Sequence, residues 1–127
     1  MPKKQSFLSE EEQSPSGTFN RHLRIVITDP DKDSNQVVVS ITTLRFPNSQ
    51  DTSCILEPGE HKFIKHRSVV DFRRTTIMSF LDIFNGLQKG VLVDMGDISE
   101  ELLRKIQQAA QASKYIPADI KKLFINF

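Results

Sequence analysis

The residues best suited to chemistry lie in one stretch near the middle of the chain, from Glu60 to Arg74, with the sequence EHKFIKHRSVVDFRR. Two of the three histidines are here, and histidine is the side chain that exchanges protons near neutral pH. After Glu60 the stretch has five cations against one carboxylate, so residues 61–74 carry a formal charge of +4 while the whole chain carries +1. The histidines are His61 and His66, and the cations are Lys62, Lys65, Arg67, Arg73 and Arg74. Imidazoles among cations favour the capture of a phosphodiester backbone, or chemistry on it.

Length and composition place this stretch in a single ordinary domain. The chain has 127 residues, of which 38% are hydrophobic and 26% charged. Its 17 basic residues are balanced by 16 acidic ones, so any affinity for nucleic acid must come from local clustering. The single cysteine, Cys54, excludes an internal disulfide and a cysteine-built zinc site, and is expected in the core. No run is apolar enough to span a membrane and no secretory signal is evident, so we expect a cytoplasmic protein.

The elements that must position the basic stretch are strands first and helices last. Residues 1–20 are polar and predict a flexible N-terminal arm, followed by one domain at residues 21–127. Runs rich in β-branched residues predict an antiparallel hairpin at 23–28 and 36–43. Shorter strands are predicted at 53–56, 68–72, 75–78 and 91–93.

Three helices are predicted among and after these strands. A short one is expected at 80–87, and an amphipathic helix at about 99–113 has an apolar stripe along one face. Pro117 is suited to begin a last helix. This order predicts a mainly β fold with C-terminal helices (α+β), in which an antiparallel sheet curls into a small barrel or stays open.

The run RHLRIVITDPDKDSNQVVVSITTL, residues 21–44, resembles the core hairpin of the PemK/MazF family of toxin endoribonucleases. Arg21 precedes the strand LRIVIT as an arginine precedes the family's strand, and residues 40–42 (SIT) are similar to the end of its next strand. Residues 68–70 (SVV) resemble a later strand, and ISEELLRKIQQAAQAS resembles the C-terminal helix, so the likeness spans about residues 21–113. Where the family has proline after the arginine this chain has His22, and GEHKFIKHRS matches no common family motif.

The resemblance implies an SH3-like barrel, a homodimer, a cognate antitoxin as protein partner, and cleavage of single-stranded RNA without metal or other cofactor. In such cleavage the ribose 2′-hydroxyl attacks the adjacent phosphate and leaves a 2′,3′-cyclic phosphate. Arg21 would stabilise the phosphate charge and Thr42 would orient the phosphate. The register along LRIVIT leaves Arg24 or His22 as alternatives for the arginine.

The residues and the resemblance together predict a catalytic set and an RNA-binding set. The catalytic set is Arg21, Thr42, His61 and His66. The RNA-binding set is Arg24, Lys62, Lys65, Arg67, Ser68, Arg73 and Arg74. Phe63 and Phe72 lie among the cations and are candidates for stacking on unpaired bases. We expect no metal site, because the three histidines lack the spacing of metal ligands.

A second function remains open beside the nuclease. The chain would then be a non-catalytic SH3-like module that binds nucleic acid or an acidic protein partner through the basic stretch at 61–74. The two functions differ in geometry, because cleavage requires Arg21, Thr42 and a histidine to converge on one phosphate-sized site. A structural protein without any site is the third possibility.

Overall fold

Eight strands and three helices make up the part of the chain that the structure, a computed structural model, describes: residues 5–9, 12–13 and 19–124. The strands are β1 Gln5–Leu8, β2 Glu12–Gln13, β3 Phe19–Asn20, β4 Leu23–Val26, β5 Asn35–Thr43, β6 Ile55–Leu56, β7 Ser68–Ser79 and β8 Val93–Asp97. The helices are α1 Phe80–Gln88, α2 Glu100–Ala112 and α3 Ala118–Phe124. Six strands form one antiparallel sheet in the order β6-β7-β5-β4-β1-β8, while β2 and β3 pair separately. The sheet curls into a half-barrel, so the predicted mainly β fold with C-terminal helices is confirmed.

The predicted hairpin is the centre of this sheet. β4 and β5 pair antiparallel, with Leu23 opposite Ile41 and Val26 opposite Val38. The turn between them is held by Asp31, whose Oδ1 accepts the Asp33 and Asn35 N–H groups at 2.8 and 2.9 Å. An aspartate that binds its own backbone two residues on is a common turn device, so the sequence pattern has a local physical cause.

Strand β7 combines the two strands predicted at 68–72 and 75–78. Ser40 pairs with Asp71 while Val38 pairs with Thr76, so residues 72–75 bulge opposite a single residue of β5. The Thr75 hydroxyl donates to the Phe72 carbonyl at 2.7 Å inside this bulge. Because a bulge bends its strand and increases the local twist, it helps to curl the sheet.

Each face of the sheet has an apolar layer. The larger layer packs against the face of α2 formed by Leu102, Leu103, Ile106 and Ala110. Its sheet residues are Leu23, Ile25, Ile27, Val37, Val39, Ile41, Val70 and Phe72. The smaller layer joins Phe7, Val26 and Val38 to Ile83 of α1 and to Leu92. Burying each such side chain contributes about 1.5–3 kcal/mol, so both layers hold the half-barrel together.

Helices α1 and α2 each begin after a serine that caps them. The Ser79 hydroxyl accepts the Asp82 N–H at 3.0 Å, and the Ser99 hydroxyl accepts the Leu102 N–H at 3.1 Å. Each cap satisfies an N–H group that has no partner within its helix. None of the helices in the described residues has the length and apolar character needed to cross a membrane.

Strand β1 differs from the expected flexible arm. Gln5–Leu8 pairs with β4 on one side and with β8 on the other, and Phe7 is fully buried. Main-chain pairing on both sides stabilises this strand although its sequence has little apolar patterning. The remaining residues of the predicted arm at 1–4, 10–11 and 14–18 lie outside the described part of the chain.

Candidate nucleic-acid interface

The loop between β6 and β7, residues 57–67, contains five of the eleven predicted site residues, and we call it the basic loop. Ile64 enters the larger core layer, where it is 4% exposed. The Glu60 carboxylate accepts the Glu57 N–H at 2.6 Å and binds the Lys105 ammonium of α2 at 3.0 Å. These anchors tie the loop to the sheet and to α2, which presets its shape.

His61 is the innermost polar anchor of the basic loop and is 7% exposed. The Ser6 hydroxyl donates to the Gly96 carbonyl at 2.6 Å, so its oxygen must accept from His61 Nε2–H at 2.9 Å. The Phe63 N–H donates to His61 Nδ1 at 2.9 Å. The imidazole is therefore neutral, with its proton on Nε2, and links the loop to β1 and β8.

The electrostatics agree with this neutral tautomer. Burial lowers the pKa of His61, the Lys62 ammonium lowers the pKa further, and a hydrogen bond with the Met95 main chain opposes both effects. If His61 Nδ1 were protonated, its N–H would face the Phe63 N–H, and the hydrogen bond between these two groups would be lost. His61 therefore has a structural role here, and its geometry does not present a proton acceptor to a substrate.

A cavity of about 280 Å³ lies at the end of the sheet, between the basic loop and the ends of β4, β5 and β7. We call it the sheet-end cavity. It is lined by Leu23, Ile41, Thr42, Thr43, Phe63, Ile64, Lys65, His66 and Ser68. Four residues of the predicted sets, Thr42, Lys65, His66 and Ser68, therefore meet at one place. Its walls are mainly apolar, and Lys65 is the one lysine or arginine among its lining residues.

The direction of the side chains distinguishes Thr42 from Thr43 in this cavity. Ile41 belongs to the core layer that reaches the cavity, and β5 has no irregularity between Ile41 and Thr43. Because side chains alternate along a strand, Thr43 shares the face of Ile41 and Thr42 points to the opposite face. Ser68 pairs with Thr43 and so shares its face. The hydroxyls inside the cavity are therefore those of Thr43 and Ser68, and Thr42 contributes only to the wall.

Lys65, His66 and Phe63 form the exposed rim of the cavity. Phe63 is 40% exposed, which leaves part of its ring accessible for stacking. Lys65 and His66 are both exposed. Phe72, the other aromatic predicted to stack, is fully buried in the larger core layer, so that prediction is wrong.

Arg21, which precedes β4, and Arg24, which is within β4, both point away from the sheet-end cavity. Arg21 Nη1 donates to the Val91 carbonyl at 3.2 Å, which directs the side chain across β1 towards β8. Arg24 is in register with Phe7 on β1 and with Ser40 on β5, so it lies on the opposite face of the sheet from Leu23. Arg21, Thr42 and a histidine therefore do not converge in this structure.

The remaining predicted cations are distributed over three places. Lys62 lines a second cavity of about 430 Å³ with His61, Asp97 and Ser99. Arg67 pairs with Glu57 at 3.0 Å, and Arg73 pairs with Asp71 at 3.2 Å. Arg74 is exposed in the bulge of β7. The cations that are adjacent in sequence thus form no single surface, and only Lys65 lines the sheet-end cavity.

Two residues near the cavity are absent from the predicted sets. Thr43 supplies one of its hydroxyls, as described above. Arg45 is exposed just beyond the point where the Leu44 N–H donates to the Arg67 carbonyl at 2.9 Å, which places it beside the basic loop. The SITT sequence signals a strand end, but only the register of β5 selects the second threonine, and no sequence cluster marks Arg45.

Other chemistry-bearing residues have no role at this site. Cys54 is buried, and burial raises the pKa of its thiol to about 11, as expected for a core cysteine. Among the residues that the structure describes, no three His, Cys, Asp or Glu side chains are grouped closely enough to hold a metal ion.

Comparison of the chain with protein-family models and with curated protein sequences finds no match.

Proposed function

We propose that the sheet-end cavity and the adjoining part of the basic loop bind single-stranded RNA. One unstacked base would enter the cavity against Phe63, and the backbone phosphates would lie on Lys65 and on Arg45, which is exposed beside the basic loop. Proteins that bind unpaired nucleic acid combine aromatic side chains for stacking with cations that track the backbone. The observation that carries the proposal is the meeting of Phe63, Lys65 and His66 around one mainly apolar cavity.

The rigidity of the basic loop supports a binding role. Glu60 bonds to Lys105, His61 bonds to Ser6, and Ile64 is buried in the core, so the loop that carries the rim residues is held at three points. A preorganised loop spends less free energy on ordering when a ligand binds. The resemblance to the toxin family favours RNA over DNA as the ligand.

The test is fluorescence anisotropy with a short labelled single-stranded RNA over a series of salt concentrations. Phe63→Ala should weaken binding by about 1–3 kcal/mol, because it removes the stacking surface. Lys65→Ala should weaken binding for all sequences and reduce the salt dependence, because one phosphate contact is lost.

Matched controls separate these effects from general losses. Tyr115→Ala and Lys114→Ala remove an exposed aromatic and an exposed cation on the connection between α2 and α3, and both should bind RNA like the wild type. Equal losses in the controls, or binding to an acidic protein with none to RNA, would contradict the proposal. DNA and duplex RNA of the same sequence measure the preference for single-stranded RNA.

Because Arg21 and Thr42 do not converge with a histidine, cleavage of the bound RNA would need a different set of groups. The presence of His66 beside Lys65 at the cavity makes cleavage by these two residues the second candidate. His66 would accept the proton of the ribose 2′-hydroxyl as its oxygen bonds to phosphorus. The bond from phosphorus to the 5′-oxygen would break, and that oxygen would take a proton from solvent. Lys65 would neutralise the charge that develops on the phosphate.

Product analysis tests this second candidate independently of binding. The purified protein should release fragments that end in a 2′,3′-cyclic phosphate, and His66→Ala should abolish turnover while the dissociation constant stays close to that of the wild type. His61→Gln should retain turnover to the extent that the protein stays folded. Binding without any cleavage would leave the first proposal standing and remove the second.

A further inference from the structure

The hydroxyl of Ser68 has a fixed direction inside the sheet-end cavity. It donates to the His66 carbonyl at 2.8 Å, so its only proton is committed within the protein. Ser68 is 6% exposed and shares the cavity face with Thr43. Towards a ligand it therefore presents lone pairs, which can only accept a hydrogen bond.

Several main-chain carbonyls around the cavity already accept hydrogen bonds. The Thr43 carbonyl accepts from Gln50 Nε2 at 3.0 Å, and the Arg67 carbonyl accepts from the Leu44 N–H at 2.9 Å. The Ile64 carbonyl accepts from the Gly59 N–H at 3.4 Å. Among the polar side chains inside the cavity, the hydroxyls of Ser68 and Thr43 share one face and can contact the edge of a base.

We propose that the Ser68–Thr43 pair selects cytosine over uracil in the sheet-end cavity. This inference rests on the RNA-binding function proposed above. Ser68 would accept from the exocyclic amino group of cytosine, and the Thr43 hydroxyl, which is directly opposite on the neighbouring strand, would donate to the adjacent ring nitrogen N3.

Uracil has the reverse arrangement at the same two positions. Its O4 is an acceptor and its N3–H is a donor, so O4 would face the lone pairs of Ser68. A buried acceptor that meets another acceptor loses its hydration without gaining a bond. The two bases have nearly the same size and shape, so the difference tests the hydroxyl and not the volume of the cavity.

The experiment compares labelled oligocytidine and oligouridine of equal length by fluorescence anisotropy. The wild type should bind oligocytidine about threefold to tenfold more tightly, the ratio expected for one hydrogen bond gained or lost. Ser68→Ala should reduce that ratio to about one by weakening oligocytidine binding. Thr52→Ala, at an exposed position outside the cavity, should keep the wild-type ratio.

A change in the ligand provides a second measurement that leaves the protein unaltered. Oligocytidine in which hydrogen replaces the exocyclic amino group lacks the donor without added bulk, and the wild type should bind it more weakly than oligocytidine. Tight RNA binding with equal affinity for both pyrimidines would overturn the selection by Ser68 and leave the RNA-binding function standing. A preference that persists in Ser68→Ala would also overturn it, and absence of binding to either RNA would overturn both proposals.

Discussion

At the scale of single residues, His61 holds three elements together through one neutral ring. Its ring forms hydrogen bonds with Ser6 of β1, with the Met95 main chain of β8 and with the Phe63 N–H of the basic loop. The charged groups around it are Glu60 and Lys62 on its own loop, Asp97 on β8 and Lys105 on α2, which binds Glu60. A ring in this position stabilises the fold only while it is neutral.

The free energy of unfolding should therefore decrease on acidification. Because the pKa of His61 is lowered in the folded state, the unfolded chain binds the proton first, and stability that is fully present above about pH 6.5 is lost as the pH falls towards the folded pKa. Chemical denaturation above and below that pH measures this. The pH dependence should be weaker in His61→Gln than in the wild type and in the control His66→Gln, whose ring is exposed. An equal dependence in all three proteins would contradict the assignment.

The same pair of substitutions predicts a difference in stability at neutral pH. His61→Gln should cost about 1–3 kcal/mol because it disturbs buried hydrogen bonds, whereas His66→Gln should stay within about 0.5 kcal/mol of the wild type. Thermal and denaturant unfolding at neutral pH check this. If His66→Gln were the more destabilising change, the two histidines would have the opposite roles.

The Cys54 thiol should be nearly inert in the folded protein. Its pKa is raised to about 11 by burial, from an ordinary value of 9.0, so the reactive thiolate is about 100-fold scarcer than in the unfolded chain. Alkylation by iodoacetamide at mildly alkaline pH should be slower than in denaturant by at least that factor. Similar rates in both conditions would show that Cys54 is accessible and weaken its assignment to the core.

At the scale of the elements, helix α1 packs closely against the segment before β8, and a glycine in the helix allows this contact. A Cβ added at Gly86 would lie 2.7 Å from both Cγ and Cδ1 of Leu92, which belongs to the smaller core layer. The main chain agrees with this close approach, because the Leu92 N–H donates to the Gly86 carbonyl at 3.0 Å. Gly86 thus allows the helix and the segment before β8 to approach each other.

Gly86→Ala should therefore destabilise the protein, although alanine normally stabilises the interior of a helix by up to about 1 kcal/mol relative to glycine. Overpacking of a core costs about 1–3 kcal/mol, which outweighs the gain in helix propensity. Gln88→Ala, at an exposed position of the same helix, provides the control and should be neutral or slightly stabilising. Denaturant unfolding measures both variants, and a more stable Gly86→Ala would show that Leu92 moves aside at little cost.

At the scale of the whole molecule, the sheet depends on its first strand. β1 lies between β4 and β8, so its removal leaves β8 without its partner and takes Phe7 from the smaller core layer. Loss of Phe7 alone, as Phe7→Ala, should cost about 3–5 kcal/mol. Since domains are stable by only about 5–15 kcal/mol, deletion of residues 1–9 should abolish cooperative unfolding.

Circular dichroism during thermal unfolding measures this deletion. Addition of a peptide with the sequence of residues 1–20 should restore part of the transition, because the strand can pair from a separate chain. A truncated protein with an unchanged cooperative transition would return this segment to the flexible arm predicted from its composition.

The parts of the fold that sequence patterns predicted are those with local causes. The β-branched runs of β4 and β5 and the apolar stripe of α2 are readable from neighbouring residues. β1 was not predicted, because its four residues are stabilised by pairing with Leu23–Val26 and Val93–Asp97. Its buried serine is explained only by the distant groups that bond to it, Gly96 and His61.

The cluster of charges in the sequence indicates where the candidate site lies. The register of the strands determines which residues face it. The sequence pointed to the basic loop, and Lys65, His66 and Ser68 do line one cavity. The role of His61 depends on Ser6, which is remote in sequence. The choice between Thr42 and Thr43 depends on which face each residue occupies, and a shift of one residue along a strand reverses that face.

The pairing of Gln5 with Asp97 also has a consequence for how the protein is made. The two residues are separated by most of the chain, so during translation the first strand waits for β8 to leave the ribosome before both of its edges are paired. Folds dominated by such distant pairings form slowly, and unpaired strand edges promote aggregation in the meantime. We therefore expect the sheet to be completed only after β8 has been synthesised, and the partly paired hairpin to be prone to aggregation until then.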